Sequence, residues 1–200
     1  MGVLFYVVLL LAVVLALLLV ALLHAGFFYE LRIRISTPLS CPKRVAYRLY
    51  TGPYKNCGGY FKQLISLVPD LKTFGVYYDD PDKVPQDKLR YIVGCCLSND
   101  RSSGDEESLK SKGYSIWTFP TCTNAVITEF PWRSMLSLYV APFCVYPPLK
   151  KYLGNLKSSC PGPILEVYEI DCIRYIAPLE NNEGFFVPEV PMETETKKDQ

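Results

Sequence analysis

The sequence predicts an α+β domain, a duplicated strand-helix-strand-strand unit with an antiparallel sheet, preceded by one transmembrane helix. Three observations carry that expectation. Met1 to Tyr29 contains no Asp, Glu, Lys or Arg. After it, short apolar runs with a period of two alternate with helical runs, in the same order in each half of the chain. The remaining length, within 200 residues in all, suits one domain able to bury its own core. Residues 1–29 are therefore expected as the anchor, 30–190 as the domain and 191–200 as a disordered tail.

The anchor follows from length and polarity. Val3 to Leu23 is almost wholly Val, Leu, Ala, Phe and Tyr, and a spanning helix needs about 20 apolar residues. A cleaved signal peptide would have a basic start and a shorter apolar core; neither is present, and Ala25-Gly26 is a poor cleavage site. On the C-terminal side stand Arg32, Arg34, Lys43 and Arg44 against a single Glu30. Basic residues near a span prefer the cytoplasm, so the domain is expected in the cytosol. Eight cysteines could form a disulfide framework. Reduced core thiols are the better reading: Cys95-Cys96 lies inside an apolar run, no Cys-x-x-Cys pair exists, and no Asn-x-Ser/Thr sequon occurs.

The elements can be read in order. Leu31–Ser36 alternates apolar and basic residues, as a half-buried strand does. Val45–Tyr50 is a second strand, closed by a turn at Thr51-Gly52-Pro53-Tyr54. Tyr60, Phe61, Leu64, Ile65 and Val68 recur at helical spacing and stop before Pro69. Phe74–Tyr78 and Leu89–Leu97 read as strands around a turn at Asp79-Asp80-Pro81-Asp82. Ser98–Glu107 reads as a polar loop, with Ser103 and Glu106 capping a short helix that ends at Gly113. Tyr114–Phe119 and Ala125–Phe130 are further strands. Met135–Val140 is helical, and Pro147-Pro148 is placed to open the helix carrying Leu149, Tyr152, Leu153 and Leu156. Leu165–Ile170 and Cys172–Ile176 complete the sheet. Val76-Tyr77-Tyr78-Asp79-Asp80 aligns with Val167-Tyr168-Glu169-Ile170-Asp171, the faint sign of an internal repeat.

The function classes narrow by composition. With 21 basic and 20 acidic residues and no block of like charge, direct nucleic-acid binding has no electrostatic footprint. The one histidine, His24, lies in the anchor, which leaves no base for a Ser or Cys triad and no haem ligand. Asp79, Asp80 and Asp82 fit a turn better than a metal cluster. No enzyme activity, cofactor or metal is expected.

Three stretches, Val45-Ala-Tyr-Arg-Leu-Tyr-Thr-Gly-Pro-Tyr54, Gly75-Val-Tyr-Tyr-Asp-Asp-Pro81 and Leu165-Glu-Val-Tyr168, resemble the signatures of GyrI-like (gyrase-inhibitor-like) ligand-binding domains. Taken with the anchor, Phe130-Pro131, Val145-Tyr-Pro-Pro148 and Phe185-Phe-Val-Pro-Glu189, the chain resembles the family of testis-expressed ER-phagy receptors. That resemblance implies a receptor or adaptor in the endoplasmic reticulum membrane with its domain in the cytosol, acting in selective autophagy of the reticulum. It further implies recruitment of an AAA-ATPase segregase to DNA–protein crosslinks at the nuclear periphery and envelope. Glu166 would face a hydrophobic cationic small ligand in an aromatic pocket walled by Tyr47, Tyr77, Tyr168 and Trp132. A sensor using that pocket is the alternative function.

Receptors of this family dock ubiquitin-like autophagosome proteins through an aromatic-x-x-aliphatic motif in a long tail. Residues 193–200 carry no aromatic residue and no Leu, Ile or Val, so weak docking is expected of this chain. Phe28-Tyr-Glu-Leu31 abuts the bilayer, and Phe61-Lys-Gln-Leu64 falls on a buried helix face.

Overall fold

The computed structural model describes residues 2–39, 41–97, 102–156 and 162–190. The first element, α1 (Gly2–Ala25), is 24 residues long, and only its last residue is buried. Its end is a Schellman turn: Phe27 N–H donates to Leu22 O at 3.0 Å and Gly26 N–H to Leu23 O at 3.2 Å. Gly26 takes φ +95° there, and a Cβ would stand 3.0 Å from the Phe130 ring. The helix thus stops where a residue without a side chain can turn the chain against the domain.

The domain that follows holds β1 (Arg34–Ser36), β2 (Arg44–Thr51), α2 (Cys57–Leu67), β3 (Thr73–Tyr77), β4 (Arg90–Cys96), α3 (Ser102–Ser111), β5 (Ser115–Thr118), β6 (Ala125–Pro131), α4 (Met135–Asn155), β7 (Ile164–Tyr168) and β8 (Cys172–Pro178). Eight strands form one sheet in the order β1-β6-β8-β7-β3-β4-β2-β5. Every neighbouring pair is antiparallel. The chain runs β2-α2-β3-β4 and, later, β6-α4-β7-β8. Each run sets its last strand between its other two, and the runs meet at the β3–β7 seam.

Alternation along the strands gives the sheet two apolar faces. On one lie α2 and α4. Phe61 and Leu64 of α2 pack on Tyr77, Tyr91 and Val93, and Leu109 of α3 joins them. Val140, Ala141, Val145 and Leu149 of α4 pack on Phe130, Ile173 and Tyr175, and Ala25 of α1 enters the same cluster. The opposite face is covered without an α-helix. Phe119, Cys122, Phe185, Val187 and Val190 lie on Tyr47, Phe74, Val76, Leu165 and Val167. Burial on both sides is why all five residues of β3 are buried.

Two expectations are corrected. Pro147-Pro148 does not open a helix: α4 is one helix of 21 residues containing Pro142, Pro147 and Pro148. Each proline removes one helix N–H, and packing of the buried face holds the helix together across them. Its N-terminus is secured by a capping box, in which the Ser134 and Ser137 side chains each accept from the other's backbone N–H. The polar stretch after Ser98 is not all loop, because α3 already begins at Ser102. Glu106 on α3 is buried and accepts both nitrogen–oxygen contacts from Arg44, at 2.8 and 2.9 Å. That pairing offsets the poor helix propensity of a Ser- and Gly-rich segment. The strands at both sheet edges are shorter than their apolar patterns, β1 spanning Arg34–Ser36 and β5 Ser115–Thr118. The expected tail at residues 191–200 lies outside the described residues.

Candidate functional site

Glu166 sits near the centre of the sheet, on the helix-covered face. β7 pairs it with Gly75 of β3 on one side and Tyr175 of β8 on the other. The residue is 5% exposed. Tyr146 Oη donates to one carboxylate oxygen and Tyr168 Oη to the other, each at 2.7 Å. Tyr77 brings a third hydroxyl within hydrogen-bonding reach, and that hydroxyl also lies 3.6 Å from Cys57 Sγ of α2. No ion pair reaches Glu166 among the described residues. Burial pushes its carboxyl above the usual value, and the tyrosine hydroxyls pull part of the way back.

Gly75 makes this arrangement possible. A Cβ on it would meet the Tyr77 ring and hydroxyl at 3.2 Å and Phe61 at 3.3 Å. With no side chain there, both rings lean over the seam beside the carboxylate. Further rings complete the wall. Tyr168 is edge-on to Phe61 at 4.8 Å and to Trp132 at 6.0 Å, and Tyr146 is edge-on to Tyr175 at 5.8 Å. The site is thus a buried carboxylate whose oxygens are occupied by this chain's own hydroxyls.

Of the residues singled out in the sequence, Glu166, Tyr77, Tyr168 and Trp132 come together. Tyr47 does not: it belongs to the opposite face, where its hydroxyl donates to Glu189 at 2.7 Å. Alternation explains the error, since Tyr47 is opposite Gly94 in β4, and Gly94 is one residue off the register of Val93 and Cys95 that face the helices. Tyr146 and Tyr175 were missed. Reading Met135–Asn155 as one helix would have set Tyr146 over the sheet, one turn before Leu149.

The acidic turn is structural. Asp79 accepts Arg90 Nη at 2.6 Å and the Arg90 backbone N–H at 2.6 Å. Asp80 and Asp82 both hold Lys150 of α4 at 2.6 Å. No group of His, Cys, Asp and Glu fit for a metal occurs among the described residues. Seven cysteines are described and all are free; Cys160 lies outside the described residues. Phe61 and Leu64 are buried, which withdraws Phe61-Lys-Gln-Leu64 from strand addition.

A second feature lies where α1 meets the domain. α1 touches α4, and Cys144 Sγ lies 3.5 Å from Phe27 O. Beside the helix end is a recess of about 400 Å³ lined by Leu23, Gly26, Phe28, Tyr29, Glu30, Arg32 and Arg133. Val3 and Leu23 both lie within α1, a helix long and apolar enough to cross a membrane.

Known proteins resemble this chain in sequence. The relatives are testis-expressed proteins. The chain is 36% identical over 177 residues to Testis-expressed protein 264 homolog of Mus musculus, covering 87% of this chain and 57% of that protein. It is 34% identical over 177 residues to Testis-expressed protein 264 of Homo sapiens, covering 87% and 56% respectively. The chain therefore spans a little over half the length of these relatives. No family model matches it.

Proposed function

We propose that the chain is a single-pass adaptor of the endoplasmic reticulum membrane, with a GyrI-like domain in the cytosol, acting in selective autophagy of the reticulum. One observation carries the reading. A charge-free helix of 24 residues, its side chains outside the core except in the last turn, is joined to a folded domain by a tight turn and not by a free linker. A helix of that length covers about 36 Å, enough for a hydrocarbon core of about 30 Å. The basic residues on the domain side favour the cytosolic orientation. The two strand-helix-strand-strand runs are read as the repeated unit of a GyrI-like domain. The part played in reticulum turnover, and in recruiting a segregase to DNA–protein crosslinks, rests on resemblance to the receptor family. The partners are cytosolic proteins, with the chain acting as scaffold and not as enzyme.

A small-molecule sensor is the second reading, favoured by the uncompensated carboxylate of Glu166 inside an aromatic cage. A hydrophobic cation could displace the Tyr146 and Tyr168 hydroxyls only if α2 and α4 parted, so the sensor requires opening.

Two measurements on the full chain test the adaptor. A C-terminal tag should be digested when protease is added to intact microsomes; a protected tag overturns the orientation. A biotin ligase at the same end should label reticulum-surface and autophagosomal proteins. Labelling confined to luminal chaperones would remove the adaptor reading.

A further inference from the structure

The N-terminal two-thirds of α4 has a composition at odds with its exposure. From Met135 to Pro148 it contains no charged residue. A helix apolar all round is normally buried all round. Here one side packs on the sheet while the other is open: Met135, Tyr139 and Phe143 are 67%, 71% and 78% exposed. Leu136 and Pro142 continue the stripe between them. It ends where Lys150 and Lys151 begin. An apolar helical run of about 10–14 residues is too short to span a bilayer and fits a core helix or an interfacial segment; the open side of this one favours the interface.

What covers this stripe is indicated by its neighbour. Leu22 and Ala25 of α1 pack in one cluster with Val140 and Ala141 of α4, and Cys144 touches the Phe27 carbonyl just past the end of α1. The exposed Phe143 is next in the chain to Cys144. The apolar surface of α1 therefore continues through the exposed Phe27 and Phe28 onto α4. Arg32 and Arg133 line the adjoining recess and could meet lipid phosphates there. Tyr139, with an apolar ring and a polar tip, suits the same depth. Carbonyls freed by Pro142 and Pro147 would find water there, which the hydrocarbon centre would deny them.

We propose that the exposed face of α4 is a second membrane contact, lying in the phospholipid interface beside α1 so that the domain rests against the bilayer. The proposal rests on the reading of α1 as a membrane span, and the test separates the two. The full chain would be reconstituted in phosphatidylcholine–phosphatidylserine vesicles, with bromine placed shallow or deep in the acyl chains. Three single variants would report against the parent chain: Phe143→Trp, Lys151→Trp and Leu15→Trp. Phe143→Trp exchanges one exposed ring for another and leaves the packed face untouched. The added fluorescence of Phe143→Trp should be quenched severalfold more by shallow bromine than that of Lys151→Trp, and Leu15→Trp should be quenched by deep bromine. Quenching of Leu15→Trp with none at Phe143→Trp overturns the proposal and leaves the span intact. Loss of quenching at Leu15→Trp overturns both. Emission from Phe143→Trp that is shifted to the blue, unquenched and dependent on protein density would show a second copy covering the face, and would also overturn it.

Discussion

Glu166 concentrates the electrostatics of the domain in one side chain. A buried carboxylate without a cation is held only by hydroxyls, and hydrogen bonds to a charged group contribute about 1.5–3 kcal/mol each. That is less than full hydration would supply, so the carboxyl is raised above its ordinary 4.5. The sign of the pH effect follows. Between the unfolded and folded values the native state binds the extra proton, so stability falls as pH rises from about 4.5 through the raised value, and is level beyond it. Glu166→Gln removes the titration while keeping the shape. Urea unfolding of parent and variant in the same detergent, across the acid-to-neutral range, separates the contribution of this carboxyl from that of every other group. The stability of the parent relative to the variant should fall with rising pH, by about 1.4 kcal/mol for each tenfold difference in proton affinity between the folded and unfolded states. A gap that widens in the parent's favour as pH rises would mean that the hydroxyls outweigh burial.

At the scale of elements, the strands and helices were readable where one physical rule acted alone. β2, β4, β6 and α2 lie close to where their apolar periods place them. Where two rules competed, the local one misled. Pro147-Pro148 signals a helix start by backbone chemistry, yet Val145 and Leu149 are fully buried on one face of a continuous α4. The Glu166–Tyr168 pair sits two residues apart on one strand and could be read from spacing; Tyr146 and Tyr175 arrive from other elements and could not. Glycines divide in the same way. Gly94 in β4 looks like any small strand residue, but a Cβ there would stand 2.5 Å from the Ala46 carbonyl and 2.7 Å from the Phe74 ring. Gly58, in the first turn of α2, has open space around it. Gly94→Ala should therefore cost about 1–3 kcal/mol through overpacking. Gly58→Ala should stabilise by about 0.5–1 kcal/mol, because it removes only backbone freedom in a helix. Chemical denaturation of both variants checks the pair, and a tolerated alanine at 94 would show that β2 and β4 can part without penalty.

For the molecule as a whole, the question is whether the two strand-helix-strand-strand runs are separate folding units. Each has its own helix and its own part of the helix-side core, Phe61 and Leu64 in one, Val140 to Leu149 in the other. Three connections argue against independence. β3 and β7 share a four-residue register from Phe74↔Val167 to Tyr77↔Ile164, so neither run has a free inner edge. The opposite face is a single cluster that takes Val45 and Phe74 from one run, Ile127 and Val167 from the other, and Phe185 and Val187 from the chain beyond both. Lys150 of α4 is bound to Asp80 and Asp82 of the first run, and Tyr77 of the first run reaches Glu166 of the second. Opening the seam would expose those apolar surfaces together, at about 25 cal/mol per Å², and strip hydroxyls from a buried carboxylate. The domain should therefore unfold in one step. The sequence supplies a probe on each side: Trp117 on β5, paired to the first run, and Trp132 just after β6 in the second. In Trp132→Phe the fluorescence reports the first run alone, and in Trp117→Phe the second. With each variant's midpoint referred to its own circular dichroism transition, the fluorescence and circular dichroism curves should coincide in both. A fluorescence transition that precedes the circular dichroism curve in one variant and follows it in the other would show that the runs melt separately and that the β3–β7 seam is an interface between two units.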